Sequence, residues 1–446
     1  MPTRILFLAY YFPPIGGGGV QRSAKFAKYL PEFGYKPRVV TVDPASFPQE
    51  REFRMDSRLQ HELDRLDLRV VRLRDGRNFR LWRSRLFPAA WFAFYPWLYE
   101  PQIAFAHGAA SEGIRRVGRE RLRLVYTTHA PFSTIWSGYR IKRATGAKWV
   151  ADLRDLWTPD SLGIYPSALH YRFLRGRERR YLSLADRIVT NTPLSRRRMV
   201  ELLGPESERR VVLIPNGYDP DDFRGIQPVA TPGRFVIAHG GTLYDVVPEG
   251  AKAAGRWYQP FPVDNDTRSL RYVLAGLKEA LARRPDLWGK VLLRLIGYIG
   301  KRSRAAAEKA GLAEHIEATG YVDHERATAL LLGSDALLLL QVSYEDAAKP
   351  TPNVPGKVYE YLAAHKPVLA PVGPGDARDL LAGLPGSFLT PPDDPAAIAG
   401  AIVDLADRHF RGEAVPLPDP ASIERYSRRH LAGELAALFD EVLAER

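Results

Sequence analysis

Apolar and polar positions alternate between two rhythms along this chain. Short apolar runs appear at residues 4–9, 36–42, 122–128 and 148–153, then within 185–192 and 211–217. Runs of this length bounded by turn residues predict buried strands. Between them, stretches at 20–33, 171–185 and 195–203 repeat apolar residues near a 3.6 period and predict helices. A second series follows, with strands expected at 235–239, 291–297, 316–322, 336–341 and 368–372. Its helices are expected at 268–283, 303–310, 325–332 and 357–365, with two more in 376–384 and 395–410. Residues 421–446 read as one long amphipathic helix. Strand–helix alternation of this kind predicts an α/β protein with parallel sheets.

With 446 residues the chain exceeds one ordinary core, so each series is read as a domain. The expected division is 1–215 and 216–420, with helix 421–446 packing back on the first. NGYDPDDF at 216–223 is the hinge, and its DPDD reads as a turn, not a metal-binding pair. Both domains open as strand, glycine-rich turn, helix, the start of a doubly wound fold. The first turn is PPIGGGG, residues 13–19. Gln21 stands where the dinucleotide fingerprint has its last glycine, so that motif is absent. Four successive glycines before a helix make a cradle for phosphate or sugar hydroxyls. A tight turn would need only one or two. The second turn is Gly240–Gly241–Thr242. Two Rossmann-like domains facing each other across a cleft are the architecture expected.

NVPGKVYEYLAAHKPVLA at 353–370 reads as a loop, a short helix and a buried strand. Lys357 falls in the first helical turn, where the macrodipole favours an acid and a lysine costs a few tenths of a kcal/mol. An anion in front of the helix would remove that cost. Glu360 lies about one turn on, on the same face. Cation and free N–H groups suit a diphosphate, and the carboxylate suits ribose hydroxyls; a solvated surface pair is the plain alternative. Arg268 and Arg271, in the first turn of the 268–283 helix, repeat the pattern.

In the first half, His129 stands at the C-terminal end of its strand, where open α/β sheets place ligands; a lone histidine is also often structural. Asp152, Arg154, Asp155 and Trp157 cluster at the same sheet edge. They fit an acceptor-binding group or an Arg–Asp pair pinning a loop. Residues 51–74 are polar and read as peripheral, and 245–268 as an irregular insertion. Residues 79–99 mix arginines with aromatics. That segment suits a membrane interface, or a patch over the core or an acceptor cleft.

The net charge of +13 is unevenly shared: residues 1–215 hold 38 Lys/Arg against 20 Asp/Glu, and the rest 26 against 31. A basic first half points to an anionic partner. Absence of cysteine excludes disulfides and thiolate chemistry. The N-terminus reads as a first strand rather than a signal peptide. No run reaches the ~18 apolar residues of a spanning helix, so a cytoplasmic protein is expected, or one peripheral on the inner face of the membrane.

YYFPPIGGGGVQR, DLRDLW, ADRIVTNTPLSR, VVLIPNGYD, HGGT, GYVDHE and PGKVYEYLAAHKPVLA occur here in an order that resembles the GT-B glycosyltransferases, specifically retaining family 4. The likeness extends over nearly the whole chain. It implies transfer of a sugar from a nucleotide-diphospho-sugar donor to a sugar or lipid-linked acceptor, in cell-surface glycan or glycoconjugate biosynthesis, without a metal or a cofactor. It also implies roles. Lys357 and Arg268 become diphosphate cations, with Gly240, Gly241 and Gly356 beside them. Glu360 becomes the ribose ligand, and Gly320, Tyr321 and Val322 a wall for the base. Gly17 and Gly18 would face the donor, and His129 the transferred sugar. Many family members carry a second glutamate eight positions before the ribose-binding one; here that position is Pro352, and Glu345 and Asp346 lie at the wrong spacing. A sugar-nucleotide epimerase is the nearest alternative, but it needs acid/base groups converging where His129 stands nearly alone. A nucleic-acid-binding protein is not expected, since the arginines form no recognisable module. An inactive scaffold is the reading that Pro352 motivates.

Overall fold

The computed structural model describes residues 2–46, 55–75, 100–159, 163–247 and 257–445. Residues 79–99 therefore lie outside the described residues, as does part of the 245–268 insertion. The chain forms two compact units. One holds the described residues up to Gly217, residues 257–260 and those from Arg428 on; the other holds Tyr218 to Ser427 without 257–260.

In the first unit seven parallel strands form one sheet: β1 (Thr3–Ala9), β2 (Tyr35–Val42), β3 (Arg69–Leu73), β4 (Leu124–His129), β5 (Lys148–Leu153), β6 (Arg187–Thr190) and β7 (Val211–Leu213). Their order is β3-β2-β1-β4-β5-β6-β7. The helices are α1 (Gly18–Tyr29), α2 (Ser57–Asp64), α3 (Ile103–Glu120), α4 (Ser133–Thr145), α5 (Ala168–Leu182) and α6 (Pro193–Leu203). Crossovers between parallel strands are right-handed. The order reverses between β1 and β4, so α1 and α2 cover one face and α3 to α6 the other. With both faces covered, β1 is apolar from Ile5 to Ala9 and wholly buried there. The ends of β1 and β4 meet at this switch point, and they deliver the glycine turn and His129.

Four elements here, α2, β3, α3 and α4, escape the sequence pattern. Residues 51–74, expected to be polar and peripheral, contain α2 and β3, which pairs with β2. As an edge strand, β3 tolerates the arginines that hide its alternation. The expected elements include no counterpart of α3, whose packing face carries Ala106, Ala109, Ala110 and Gly113 between Phe105 and Val117. A Cβ on Gly113 would lie 2.4 Å from Ile141 Cδ1.

The second unit has a parallel sheet of β8 (Phe235–Gly240), β10 (Val291–Ile296), β11 (Ile316–Gly320), β12 (Ala336–Leu338), β14 (Val368–Pro371) and β15 (Ser387–Thr390), in the order β11-β10-β8-β12-β14-β15. Two short antiparallel strands, β9 (Val263–Asp264) and β13 (Ser343–Tyr344), pair separately. Its helices are α7 (Arg271–Arg283), α8 (Lys301–Lys309), α9 (His324–Leu332), α10 (Gly356–Ala363), α11 (Asp376–Ala382) and α12 (Pro395–Arg411). The expected helix 268–283 is shorter at its start. Arg268 ends a separate 3-10 turn, Asn265–Arg268, and Ser269 interrupts with extended backbone (φ −104°, ψ −179°). Arg268 is therefore not in the first turn of α7.

The expected single helix 421–446 is also broken. A helical turn at Pro420–Ile423 and a 3-10 turn at Glu424–Tyr426 precede α13 (Arg428–Ala444). Tyr218 N–H donates to Tyr426 O at 3.1 Å, and this parallel bridge holds Ser427 in extended conformation (φ −66°, ψ 140°), ending the helical run. The turns stay with the second unit while α13 packs in the first. There Tyr35 donates to Asp440 at 2.5 Å and its ring meets Phe439.

Gly138 shows how tightly α4 lies on the sheet: a Cβ there would come within 2.3–2.5 Å of the Trp149 indole, which is wholly buried. Gly138→Ala is expected to lower stability by about 1–3 kcal/mol through overpacking, read from denaturant unfolding; an unchanged midpoint would contradict this packing.

Candidate active site

In the second unit the ends of β8, β10 and β11 and the start of α10 converge. Gly241 follows β8 with φ +112° and Gly297 follows β10 with φ +131°, while Gly320 closes β11 with φ +67°. A Cβ on Gly297 would lie 2.6 Å from Gly241 O. Gly297 N–H donates to Gly320 O at 2.9 Å. Only glycine suits such backbone and such approach. The result is a shelf of main chain, with Tyr321 exposed beside it.

Two side chains set this turn. The buried Tyr361 hydroxyl accepts the Gly240 N–H at 2.9 Å and donates to Leu338 O at 3.3 Å. His239 Nδ1 lies 2.8 Å from the same carbonyl, so it carries the proton. That leaves Nε2 as an acceptor, and the Lys357 ammonium lies 3.2 Å from it. Burial and Lys357 hold the imidazole well below its ordinary pKa, hence neutral. Lys357 Nζ is also 3.0 Å from where a Gly241 Cβ would stand.

Charge is unbalanced here. Lys357 is the second residue of α10, whose first turn has no acid and whose N-terminus has no side-chain cap. Desolvation and the nearby Arg268 guanidinium lower its pKa to about 7, against a smaller opposing effect of Glu360. Arg268 stacks over the Tyr244 ring at 4.6 Å. Arg271 differs: it pairs with Asp266 at 2.7 Å, so its charge is met within the protein. Lys357, Arg268 and the N–H groups at the start of α10 are thus groups that could hold an anion. Glu360 is half-buried and has no salt bridge among the described residues. Pro352 is buried in the approach to α10, where Gln341 Nε2 donates to Asn353 O at 2.9 Å. Asp346 pairs with Lys349. Glu345 lines a cavity of about 1140 Å³ with Thr267, Ser343 and Arg378, to which neither Lys357 nor Glu360 contributes.

In the first unit Gly17 (φ +107°) caps α1, and space is open around it and Gly18. Gly19 matters as much: a Cβ there would lie 2.9 Å from Arg154 NH1. Arg154 Nε and NH2 donate to the carbonyls of His129 and Ala130, both at 2.9 Å. Its NH1 is buried without a partner. A guanidinium N–H left over at the start of a helix without first-turn acids is a second place for negative charge.

Two candidates change role. The His129 imidazole is wholly enclosed, with Nε2 3.0 Å from Thr127 Oγ1 and Nδ1 2.5 Å from Thr134 Oγ1. Burial lowers its pKa to about 3. It is a neutral ring between two hydroxyls, and what it presents to the site is its carbonyl, holding Arg154. Asp152 is likewise wholly buried. Arg22 clasps it at 2.9 and 2.8 Å and Tyr126 donates at 2.6 Å. Burial alone would raise the carboxyl's pKa, but these partners hold it below its ordinary value. Asp152 is therefore the loop-pinning partner, not an acceptor ligand. The Asp155 side chain keeps exposed surface, although the protein packed around it raises its carboxyl's pKa by desolvation against the lowering effect of Arg154, and Trp157 stacks on Phe132 at 5.9 Å. His239, Tyr361, Gly19 and Gly297 are site residues that the sequence reading passed over. HGG before the turn and the second tyrosine of YEY were the available signals.

Two family models match in tandem: "Glycosyl transferase 4-like domain" over residues 17–217 and "Glycosyl transferases group 1" over 264–408. A curated 2-deoxystreptamine N-acetyl-D-glucosaminyltransferase of Streptomyces fradiae is 26% identical over 425 residues, 92% of this chain and 87% of that protein. Among solved structures, a sucrose-phosphate synthase of Thermosynechococcus elongatus superposes with a TM-score of 0.63 at 16% identity, covering 99% of each chain. A Rickettsia africae glycosyltransferase does so with 0.61 at 15%, covering 100% of each.

Replacing Asp152 by Asn strands the Arg22 charge, and a loss of about 3–5 kcal/mol is expected. Asp155→Asn, on an exposed side chain, is expected to stay within about 0.5 kcal/mol of the parent. Equal losses for the two in denaturant unfolding would show that the cluster is misassigned.

Proposed function

The chain is a GT-B glycosyltransferase resembling family 4, and we propose that its second unit holds a nucleoside-diphospho-sugar by the diphosphate at Lys357 and Arg268. The observation that carries this is the uncompensated pair of cations at the Gly240–Gly241 turn and the α10 N-terminus. Glu360, one helical turn beyond Lys357, takes the ribose hydroxyls, and the backbone of Gly320, Tyr321 and Val322 faces the base. Gly17, Gly18 and Arg154 form the anion-seeking edge of the first unit. The acceptor presents ring hydroxyls, as a sugar or a sugar-like cyclitol does; the Streptomyces relative is by its name a transferase for 2-deoxystreptamine, an aminocyclitol. Transfer proceeds with retention, as the family likeness implies.

The chemistry left to these residues is leaving-group stabilisation. As the bond from the anomeric carbon to the diphosphate oxygen breaks, negative charge grows on that oxygen. The α10 N–H groups, Lys357 and Arg268 would offset that charge as it forms. His239 and Tyr361 act as positioning residues, the first aiming the ammonium and the second holding the turn.

A thermal-shift panel with UDP, GDP, ADP and dTDP tests the site, since a ligand bound to the native state alone raises the melting temperature. One nucleoside diphosphate is expected to stabilise selectively, and a flat panel overturns the reading. Lys357→Ala is expected to weaken that ligand by about tenfold to a hundredfold with an unchanged circular dichroism spectrum; near-normal affinity would put the diphosphate elsewhere. The anomeric configuration of the product, read by NMR, tests retention.

The pH dependence has a definite sign. With the folded Lys357 pKa lowered to about 7, the unfolded chain binds the extra proton between about pH 7 and 10, so this lysine adds to free-protein stability as pH rises through that window. Diphosphate binding restores the charge. Affinity is therefore expected to fall as pH rises above 7, with proton uptake at pH 8 measurable by calorimetry in buffers of different ionisation enthalpy. No uptake would show that Lys357 does not meet the anion.

A further inference from the structure

The helices α4, α5 and α6 lie side by side on one face of the first unit's sheet, because each connects neighbouring strands in the same direction. Together they carry 11 Lys/Arg and two acids, Glu178 and Glu201. Glu178 is wholly buried under α5 and adds nothing to the outer surface. Asp186 and Glu208 meet Lys142 and Arg196 from outside the helices. No salt bridge among the described residues holds Arg172, Arg179 or Arg180.

The middle helix has a second property. Leu174, Glu178 and Leu182, one turn apart, form its buried side. On the opposite side Leu169 is 74% and Phe173 42% exposed. Arg172, Arg179 and Arg180 are exposed on the same helix, Arg180 in hydrogen-bond reach of the Tyr139 hydroxyl, and Arg177 lies over the Phe173 ring at 4.6 Å. Just past the helix, Leu184 is exposed as well. A soluble surface helix has no use for two large apolar side chains at the centre of its outer face, one turn apart. A polyanion such as DNA would be served by the arginines alone. A bilayer of anionic lipid offers both partners: phosphates at the depth of the guanidinium groups and an acyl boundary a few ångströms below.

We propose that the α4–α5–α6 face docks on an anionic membrane surface, with Leu169 and Phe173 entering the headgroup layer and the arginines meeting lipid phosphates. This goes beyond the donor site and does not depend on it. In function it would set a soluble donor against an acceptor presented at a membrane.

The test is co-sedimentation of the full chain with vesicles of phosphatidylcholine alone or mixed with an equal part of phosphatidylglycerol. Binding is expected only to the mixed vesicles and is expected to weaken with salt. Arg172→Glu with Arg179→Glu is expected to reduce it by more than about tenfold. Leu169→Ser with Phe173→Ser is expected to reduce it by about tenfold while leaving retention on duplex DNA unchanged. Absence of binding to the mixed vesicles overturns the proposal, as does binding indifferent to both double variants. Loss through the charge variant alone, with DNA bound as tightly as the vesicles, would make this a general polyanion face and overturn it too. Both variants are expected to keep their melting temperature and their nucleotide-induced shift, so failure here is distinguishable from failure of the donor site.

Discussion

A guanidinium taken fully out of water must have its donors met, and the first unit is arranged around that requirement at Arg22. Projecting from α1, it makes two bonds to Asp152 at the end of β5, one to Pro215 O at 2.6 Å and one to Ile214 O at 3.0 Å. Its partner Asp152 also takes the Tyr126 hydroxyl from β4. One buried charge thus ties helix, two strands and the chain leaving the sheet to a single geometry. Loss of either partner would leave the other uncompensated at several kcal/mol. The glycine turn before α1 and Arg154, two residues beyond Asp152, are positioned as a consequence. The candidate-site edge of this unit thus rests on an ionic and enclosed support.

The second unit treats charge in the opposite way. Arg271 is given Asp266, whereas Arg268 and Lys357 stand near each other at a helix start with no acid in its first turn. Each of these placements costs the free protein some stability. The cost is tolerable because the site is small and its frame is secured by neutral hydrogen bonds, from Tyr361 to the Gly240 turn and from His239 to Leu338. Unmet positive charge in a frame this well secured is what the proposed diphosphate would offset.

Legibility followed from how local the cause was. Central strands such as β1 and β5 and helices such as α6 and α12 were readable because one period of apolar residues decides them. The glycine turns and Lys357 were readable because each breaks a local rule, four glycines in a row or a cation at a helix start. Hidden elements had causes elsewhere in the chain. β3 forms because β2 offers an edge, α3 because Ile141 fills the place a side chain at Gly113 would take, and the break before α13 because Tyr218 pairs with Tyr426. His129 and Asp152 were correctly placed at the sheet's edge, but strand position says nothing about whether a side chain is enclosed.

By itself the sequence determined the class of fold, the glycine-rich turns and the cation at the start of α10, since each follows from patterns among residues close together in the chain. Tertiary structure alone decided that Arg154 rather than His129 faces the first turn, that Asp152 serves Arg22, and that His239 holds Lys357. Those assignments turn on desolvation and on which donor reaches which acceptor, and both are properties of residues brought together from distant parts of the chain.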